Sequence, residues 1–204
     1  MAGFLFSVLF RFSFLGIFRF VCIYDSPESN YPILSLKYLY SHYKCFFEMK
    51  ALVLEDYMKL VYKEVPTPVA GPEEVLIGVK AVGICGSDIH GMDGSSGRRL
   101  PPVIMGHEAA GIIEQMGEKV RDWKIGDRVT FDSTVYETDD WYTQRGFYNL
   151  SDNRRVLGVS TPEFKLDGAY ADFVVVPQHI LCRIPDEVSF TQAAMTEPVA
   201  VALH

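Results

Sequence analysis

No CxxC pair occurs in this chain, and its four cysteines (Cys22, Cys45, Cys85 and Cys182) show no spacing that suggests a disulfide framework. That excludes a disulfide-stapled fold and points to a reducing compartment, the cytoplasm. No long basic run occurs, and the net charge is −7. Nucleic-acid binding therefore has no electrostatic footprint. No uninterrupted apolar stretch approaches the ~20 residues of a membrane span, because Arg11 and Arg19 break the opening "MAGFLFSVLFRFSFLGIFRFVCIY". A signal peptide carries its positive charge before the apolar run, whereas Arg11 follows one, and no small-residue cleavage site is evident. No GxGxxG occurs, so the chain has no fingerprint for a dinucleotide pyrophosphate. The glycine-rich "GSSGRR" at 94–99 has no βαβ pattern around it and reads as a flexible loop. There is no internal repeat.

What is present is a folded composition. Of 204 residues 49% are hydrophobic, with 16 Gly and 11 Pro, which suits a turn-rich globular chain. The first 48 residues differ from the rest. They hold 14 of the 27 aromatic residues and a net charge of +1, leaving −8 on residues 49–204. Three readings stand for this segment: a membrane anchor or targeting peptide, a packed structural extension, or an extension outside the working fold. The last is preferred, because "MKALVLEDY" opens a clean strand pattern at Met49.

From Met49 onward the hydrophobic period is short. "KALVLED", "KLVYKEV", "EVLIGVKAVGIC", "GHEAAGIIEQMG", "KIGDRVTF", "GAYADFVVVP" and "ILCRIP" read as strands separated by Gly and Pro turns. This predicts a mainly β barrel or sandwich with short helices. Residues 132–168 are polar and aromatic with little periodicity, a long excursion. Near the end, "SFTQ" fits a capping box with Ser189 as cap and Gln192 three residues on. Pro198 restarts the helix that follows, so Glu197 is expected at a junction of two helical pieces.

Three places carry chemistry. In "GICGSDIHG" (83–91), Gly83 and Gly86 are expected to let the backbone turn and leave the Cys85 thiol open; a lone cysteine is otherwise a small buried hydrophobe. Ser87 and His90 follow in a short polar turn, where a hydroxyl and an imidazole can pass a proton outward; a local cap and a surface histidine are the plain alternative. In "MGHEAAG" (105–111), His107 and Glu108 are adjacent. On a strand they would face opposite ways, so only one could be a direct ligand unless a bulge turns the second inward. Glu197 alone is a carboxylate before a proline. Together, thiolate, imidazole and carboxylate are the mixed donors a catalytic Zn²⁺ accepts with one position left open, and a poor set for Mg²⁺ or Ca²⁺. Such an ion polarises an alcohol oxygen and lowers its pKa.

"GICGSDIHG", "GHEAAGIIEQMG", "GDRV" and "EPVAVALH" stand in the order found in the zinc-dependent medium-chain alcohol dehydrogenases. Residues 49–204 resemble the catalytic domain of that family, a GroES-like β-barrel, and "EPVAVALH" is most similar to its polyol branch of sorbitol and butanediol dehydrogenases. The resemblance implies that Cys85 and His107 are direct zinc ligands. Glu108 becomes a ligand or an exchangeable near-ligand, and Glu197 a ligand or a group holding the zinc-bound water and substrate. Ser87 would take the alcohol proton, and His90 is an onward step. It implies an alcohol or polyol substrate, hydride transfer to NAD(P), and homo-oligomers among full-length relatives.

Relatives often carry a second zinc in a four-cysteine lobe. Here "RGFYNL" and "DNRRVLG" match the lobe's frame, but the cysteine positions fall on Glu137, Asp140, Thr143 and Ser151. No structural zinc is expected; a solvated acidic loop braced by Trp141, Tyr142 and Tyr148 is preferred over a hard-cation site on Glu137, Asp139 and Asp140. The resemblance also implies that the helix at "EPVAVALH" runs toward a nucleotide-binding Rossmann domain that this chain lacks. The chain alone is then expected to be inactive, with a non-catalytic zinc-binding or interaction module of the same fold as the alternative.

Overall fold

The computed structural model describes residues 44–204 and two short strands, β1 (Leu5–Val8) and β2 (Phe20–Ile23), with side chains described from residue 48. The chain divides into two compact units, Met1–Met49 with Glu64–Thr67, and Lys50–Lys63 with Pro68–His204. In the first, β1 pairs antiparallel with β2, and β2 with the start of β3 (Lys44–Asp56). The strand expected from Met49 thus begins at Lys44. The rest of the expected extension over 1–48 lies outside the described residues.

The second unit is built on an antiparallel sheet. Following β4 (Lys59–Pro66) and β5 (Glu74–Val82) come β6 (Val103–Ile104), β7 (Ala109–Met116) and β8 (Arg128–Phe131). The excursion holds β9 (Thr134–Val135), β10 (Arg155–Val156), β11 (Val159–Ser160) and β12 (Lys165–Leu166). Last come β13 (Phe173–Pro177) and β14 (Leu181–Arg183). The sheet order is β13-β5-β7-β8-β14. Val174 and Val176 of β13 point into the core while their neighbours are half-buried, the period-2 pattern of a strand with one covered face. On β5 the run Val75, Leu76, Ile77 and Gly78 is buried throughout, so both faces are covered there. Val75, Ile77, Ile113, Val129, Phe131 and Val176 form the centre of the core.

Among the described residues helices are few and short: α1 (Gly86–Met92), α2 (Phe190–Ala194) and α3 (Thr196–Leu203). The strand pairs of the sheet β13-β5-β7-β8-β14 are all antiparallel, and the one parallel contact given among the described residues is an isolated bridge, Arg99 with Ser160, so no βαβ unit stands in that sheet. None of the described helices is long and apolar enough to cross a membrane. The expected capping box forms: Gln192 N–H donates to Ser189 Oγ at 3.2 Å and Ser189 N–H to Gln192 Oε1 at 2.9 Å. Ala193 and Ala194 bury against Ala110 and Ile184, which docks α2 on the sheet. The chain breaks at Met195, and α3 starts with Glu197 and Pro198 in its first turn, as the sequence predicts.

The excursion is more ordered than its lack of periodicity suggests. β9 pairs with β10 and β11 with β12, around 3-10 turns at Thr143–Arg145 and Tyr148–Leu150. Side-chain oxygens at two of the four expected cysteine positions tie the loop to backbone N–H groups of the other two: Thr143 N–H donates to Asp140 Oδ1 at 2.6 Å and Glu137 N–H to Ser151 Oγ at 3.2 Å. The Ser151 hydroxyl, then the Thr143 N–H, hold the Asp140 carboxyl below the usual carboxylate range. Trp141 packs edge-on to Tyr142, and the Arg145 guanidinium lies 4.0 Å over its ring.

Candidate metal centre

β5 ends at Val82, and three residues later Cys85 sits in extended conformation at the start of α1. Asp88, three residues on, accepts the Cys85 N–H at 3.1 Å, which closes the first turn and fixes the thiol's backbone. Ser87 and His90 therefore lie on a helix, not in a polar turn, and both are exposed. Their i, i+3 spacing puts them on one face. His90 Nδ1 lies 3.4 Å from Ser95 Oγ.

His107 and Glu108 precede β7, which begins at Ala109. The strand alternation that would have sent them to opposite faces does not apply to them. Gly106 has φ +91°, a left-handed conformation that turns the chain just before the pair, and the Tyr170 ring lies where a side chain at 106 would be. Both residues are buried. Cys85 Sγ, one ring nitrogen of His107 and one carboxylate oxygen of Glu108 all lie within 4.8 Å of one another.

Gly83 serves a different purpose from the one its sequence position suggests. Neither Gly83 nor Gly86 has a positive φ. A Cβ on Gly83 would come within 2.2 Å of Glu108 Oε2, whereas one on Gly86 would meet nothing within 4 Å. Gly83 is the space that Glu108 occupies, and the Gly83 N–H holds the Glu108 carbonyl at 2.7 Å. The Gly83→Ala variant is expected to lose about 1–3 kcal/mol by overpacking, while Gly86→Ala stays within about 0.5 kcal/mol. Urea melts of the two variants side by side test this contrast.

Glu197 stands beside the trio rather than within it. It accepts a 3.2 Å hydrogen bond from buried Ser133. Burial raises its carboxyl pKa, against the opposing pull of His107 and the Ser133 bond, and Glu108 raises it further. The sequence-expected residues thus fall into three groups: Cys85, His107 and Glu108 converge, Glu197 adjoins them, and Ser87 and His90 lie on the exposed side of α1.

Sequence reasoning assigned no role to the residues that brace this trio. Asp88 is 2% exposed. Its Oδ2 is 2.8 Å from the Tyr170 hydroxyl, which also lies 3.1 Å from the Gly83 carbonyl. Burial, then the Asp88 carboxylate, push the Tyr170 phenol well above its ordinary pKa, so it keeps its hydrogen and donates. Asp88 Oδ1 lies 3.6 Å from both His107 Nδ1 and an Arg99 guanidinium nitrogen, with all three side chains buried. At that separation neither is a hydrogen bond, and the Arg99 contact is one between opposite charges. Arg99 belongs to the stretch expected to be a flexible loop, and it is 4% exposed. Flanking backbone bonds pin it, Leu100 N–H to Ser160 O and Ser160 N–H to Arg98 O. The spacing of Cys85 to Asp88 is that of a capping box, a signal that could have marked Asp88; nothing in the sequence marks Arg99.

The donor set fits zinc. A tetrahedral ion with bonds of about 2.0–2.3 Å needs ligand atoms roughly 3.5 Å apart, within small side-chain adjustments of the trio. With His107 Nδ1 turned to Asp88, Nε2 is the nitrogen left for an ion, the carboxylate–histidine arrangement that orients metal-bound imidazoles.

Comparison with known proteins shows the family. Residues 71–186 match the family model "Alcohol dehydrogenase GroES-like domain". The chain belongs to that family. It is 36% identical over 161 residues to the D-xylulose reductase of Saccharomyces cerevisiae, covering 76% of this chain and 44% of that protein. It is 37% identical over 159 residues to the sorbitol dehydrogenase of Bacillus subtilis, again covering 76% and 44%. A zinc-binding dehydrogenase from Sinorhizobium meliloti, solved with NADP, superposes with a TM-score of 0.69 at 36% identity, covering 77% of this chain and 44% of that one. The mainly β architecture with short helices is thus the GroES-like fold. The chain spans less than half the length of these relatives.

Proposed function

We propose that residues 49–204 form the catalytic domain of a zinc-dependent oxidoreductase acting on a polyol or secondary alcohol. The convergence of Cys85, His107 and Glu108 within 4.8 Å carries this reading. Cys85 and His107 would hold the ion, with Glu108 as ligand or exchangeable near-ligand. Glu197, braced by Ser133, is a fourth donor or the group that orients water and substrate. A bound zinc would supply Lewis acidity toward an alcohol oxygen. Gly83, Gly106 and Asp88 position Cys85, His107 and Glu108, and Ser133 holds Glu197.

Ser87 takes the alcohol proton and His90 passes it to water; their common exposed face on α1 supports that route. Similarity to D-xylulose reductase and sorbitol dehydrogenase supports a small polyol as substrate, and a full-length enzyme would assemble into homo-oligomers. The similar structure solved with NADP supports NAD(P) as hydride acceptor there. This chain carries no GxGxxG to hold such a cofactor, and the described residues form no βαβ unit to position a nicotinamide. The lobe is tied by oxygen hydrogen bonds and takes no second zinc. Free Cys85 and Cys182 suit the cytoplasm.

Metal analysis of the purified chain tests the reading, together with an assay for NADH formation from sorbitol or xylitol. The expected result is about one zinc per chain and no turnover above blank. No zinc would overturn the site, two would overturn the reading of the lobe, and turnover would show that this chain positions a nicotinamide after all.

A further inference from the structure

The trio's surroundings contain a buried cation that the proposed reaction does not use. Arg99 reaches the interior through a gap kept open by Gly91, where a Cβ would stand 2.3 Å from Arg99 Cγ. Its backbone is held on both sides by Ser160, and its guanidinium faces Asp88 Oδ1 at 3.6 Å. The same oxygen faces His107 Nδ1 at 3.6 Å. Asp88 Oδ1, His107 Nδ1 and Arg99 Nε all lack a hydrogen-bond partner among the described residues. Oδ1 therefore stands between two buried nitrogens, one on a permanent cation and one on the candidate ligand.

We infer that Arg99 is a positioning residue for the metal centre: its charge offsets the buried Asp88 carboxylate, so that Asp88 can orient the His107 ring with Nε2 toward Cys85 and Glu108. This rests on the reading of Cys85, His107 and Glu108 as a zinc site. A carboxylate buried without a counter-charge would be driven to rotate toward water. That rotation would remove its hold on the imidazole. The geometry also says which property of Arg99 counts. At 3.6 Å there is no forked hydrogen bond to Asp88, so positive charge matters more than guanidinium shape.

The test is a zinc-affinity measurement by chelator competition on the full chain and four variants: Arg99→Met, Arg99→Lys, Asp88→Asn, and Asp88→Asn with Arg99→Met. Arg99→Met is expected to weaken zinc binding about 10- to 100-fold, the range for groups that orient a metal ligand. Arg99→Lys restores most of the loss. In the Asp88→Asn background Arg99→Met has no further effect, because the residue it acts through is already neutral. Additive losses in the double variant, or an Arg99→Lys affinity as poor as that of Arg99→Met, would assign Arg99 a packing role only and overturn the inference. Should Arg99→Met fail to fold, the double variant removes both charges together and keeps the comparison with Asp88→Asn readable. Failure of the unmodified chain to bind zinc would instead overturn the metal-site reading itself.

Discussion

Replacing Asp88 by alanine is expected to destabilise the metal-free chain by about 3–5 kcal/mol, the range for breaking a buried ion pair and leaving one charge unmatched. Four groups lose their partner at once. The Cys85 N–H and the Tyr170 hydroxyl lose an acceptor, Arg99 loses its counter-charge, and His107 loses the carboxylate it faces. The solvent cannot replace these contacts, since Asp88 is 2% and Arg99 4% exposed. Against a typical total stability of about 5–15 kcal/mol, this is about a fifth or more. Tyr170→Phe removes one hydroxyl, whose single hydrogen is shared between Asp88 Oδ2 and the Gly83 carbonyl, and is expected to cost about 1–2 kcal/mol. Urea melts at neutral pH compare the two. An Asp88→Ala cost below about 1 kcal/mol would mean that the carboxylate network contributes little to folding.

The order of these costs reflects what could be read from the sequence. Strand positions were legible because period-2 runs such as "FVVVP" fall on a half-buried strand, and the helix break at Glu197 was legible because "SFTQ" and Pro198 act locally. Cys85 and His107 stand out in the sequence as metal-donor residue types, and the fold brings them together with Glu108 within 4.8 Å. What could not be read was produced by the tertiary fold. His107 and Glu108 face the same site because Gly106 turns the backbone ahead of β7, and the sequence placed them on the strand itself. Gly83 reads as a hinge in isolation and becomes space for Glu108 only when β5 and β7 are paired. Arg99 follows two glycines and two serines, a solvated loop by composition, yet its bridge to Ser160, more than sixty residues later, carries it inside. Long-range pairings of this kind leave no local trace.

Cys85→Ala is expected to remove zinc from the chain, whereas Cys182→Ala leaves it bound. Zinc held by a set of protein ligands is worth roughly 10–16 kcal/mol at structural sites, so one ligand of four contributes roughly 3–4 kcal/mol. At about 1.4 kcal/mol per tenfold, its loss weakens binding roughly a hundred- to a thousand-fold. The thiol is the softest donor in the trio, and alanine leaves only nitrogen and oxygen beside Glu197. Cys182 is a matched control. It is also a free cysteine, but it sits on β14, exposed and paired across from Thr130 of β8, outside the metal-competent trio. Cobalt substitution reads out the same difference without turnover. A sulfur-to-cobalt charge-transfer band is expected in the unmodified chain and in Cys182→Ala, and not in Cys85→Ala. Because the thiol must lose its proton to bind, the affinity of the unmodified chain falls as pH is lowered, and this dependence is shallower in Cys85→Ala. A Cys85→Ala chain that kept both its zinc and its affinity would place the metal elsewhere, and the convergence of Cys85 with His107 and Glu108 would then be an accident of packing beside α1.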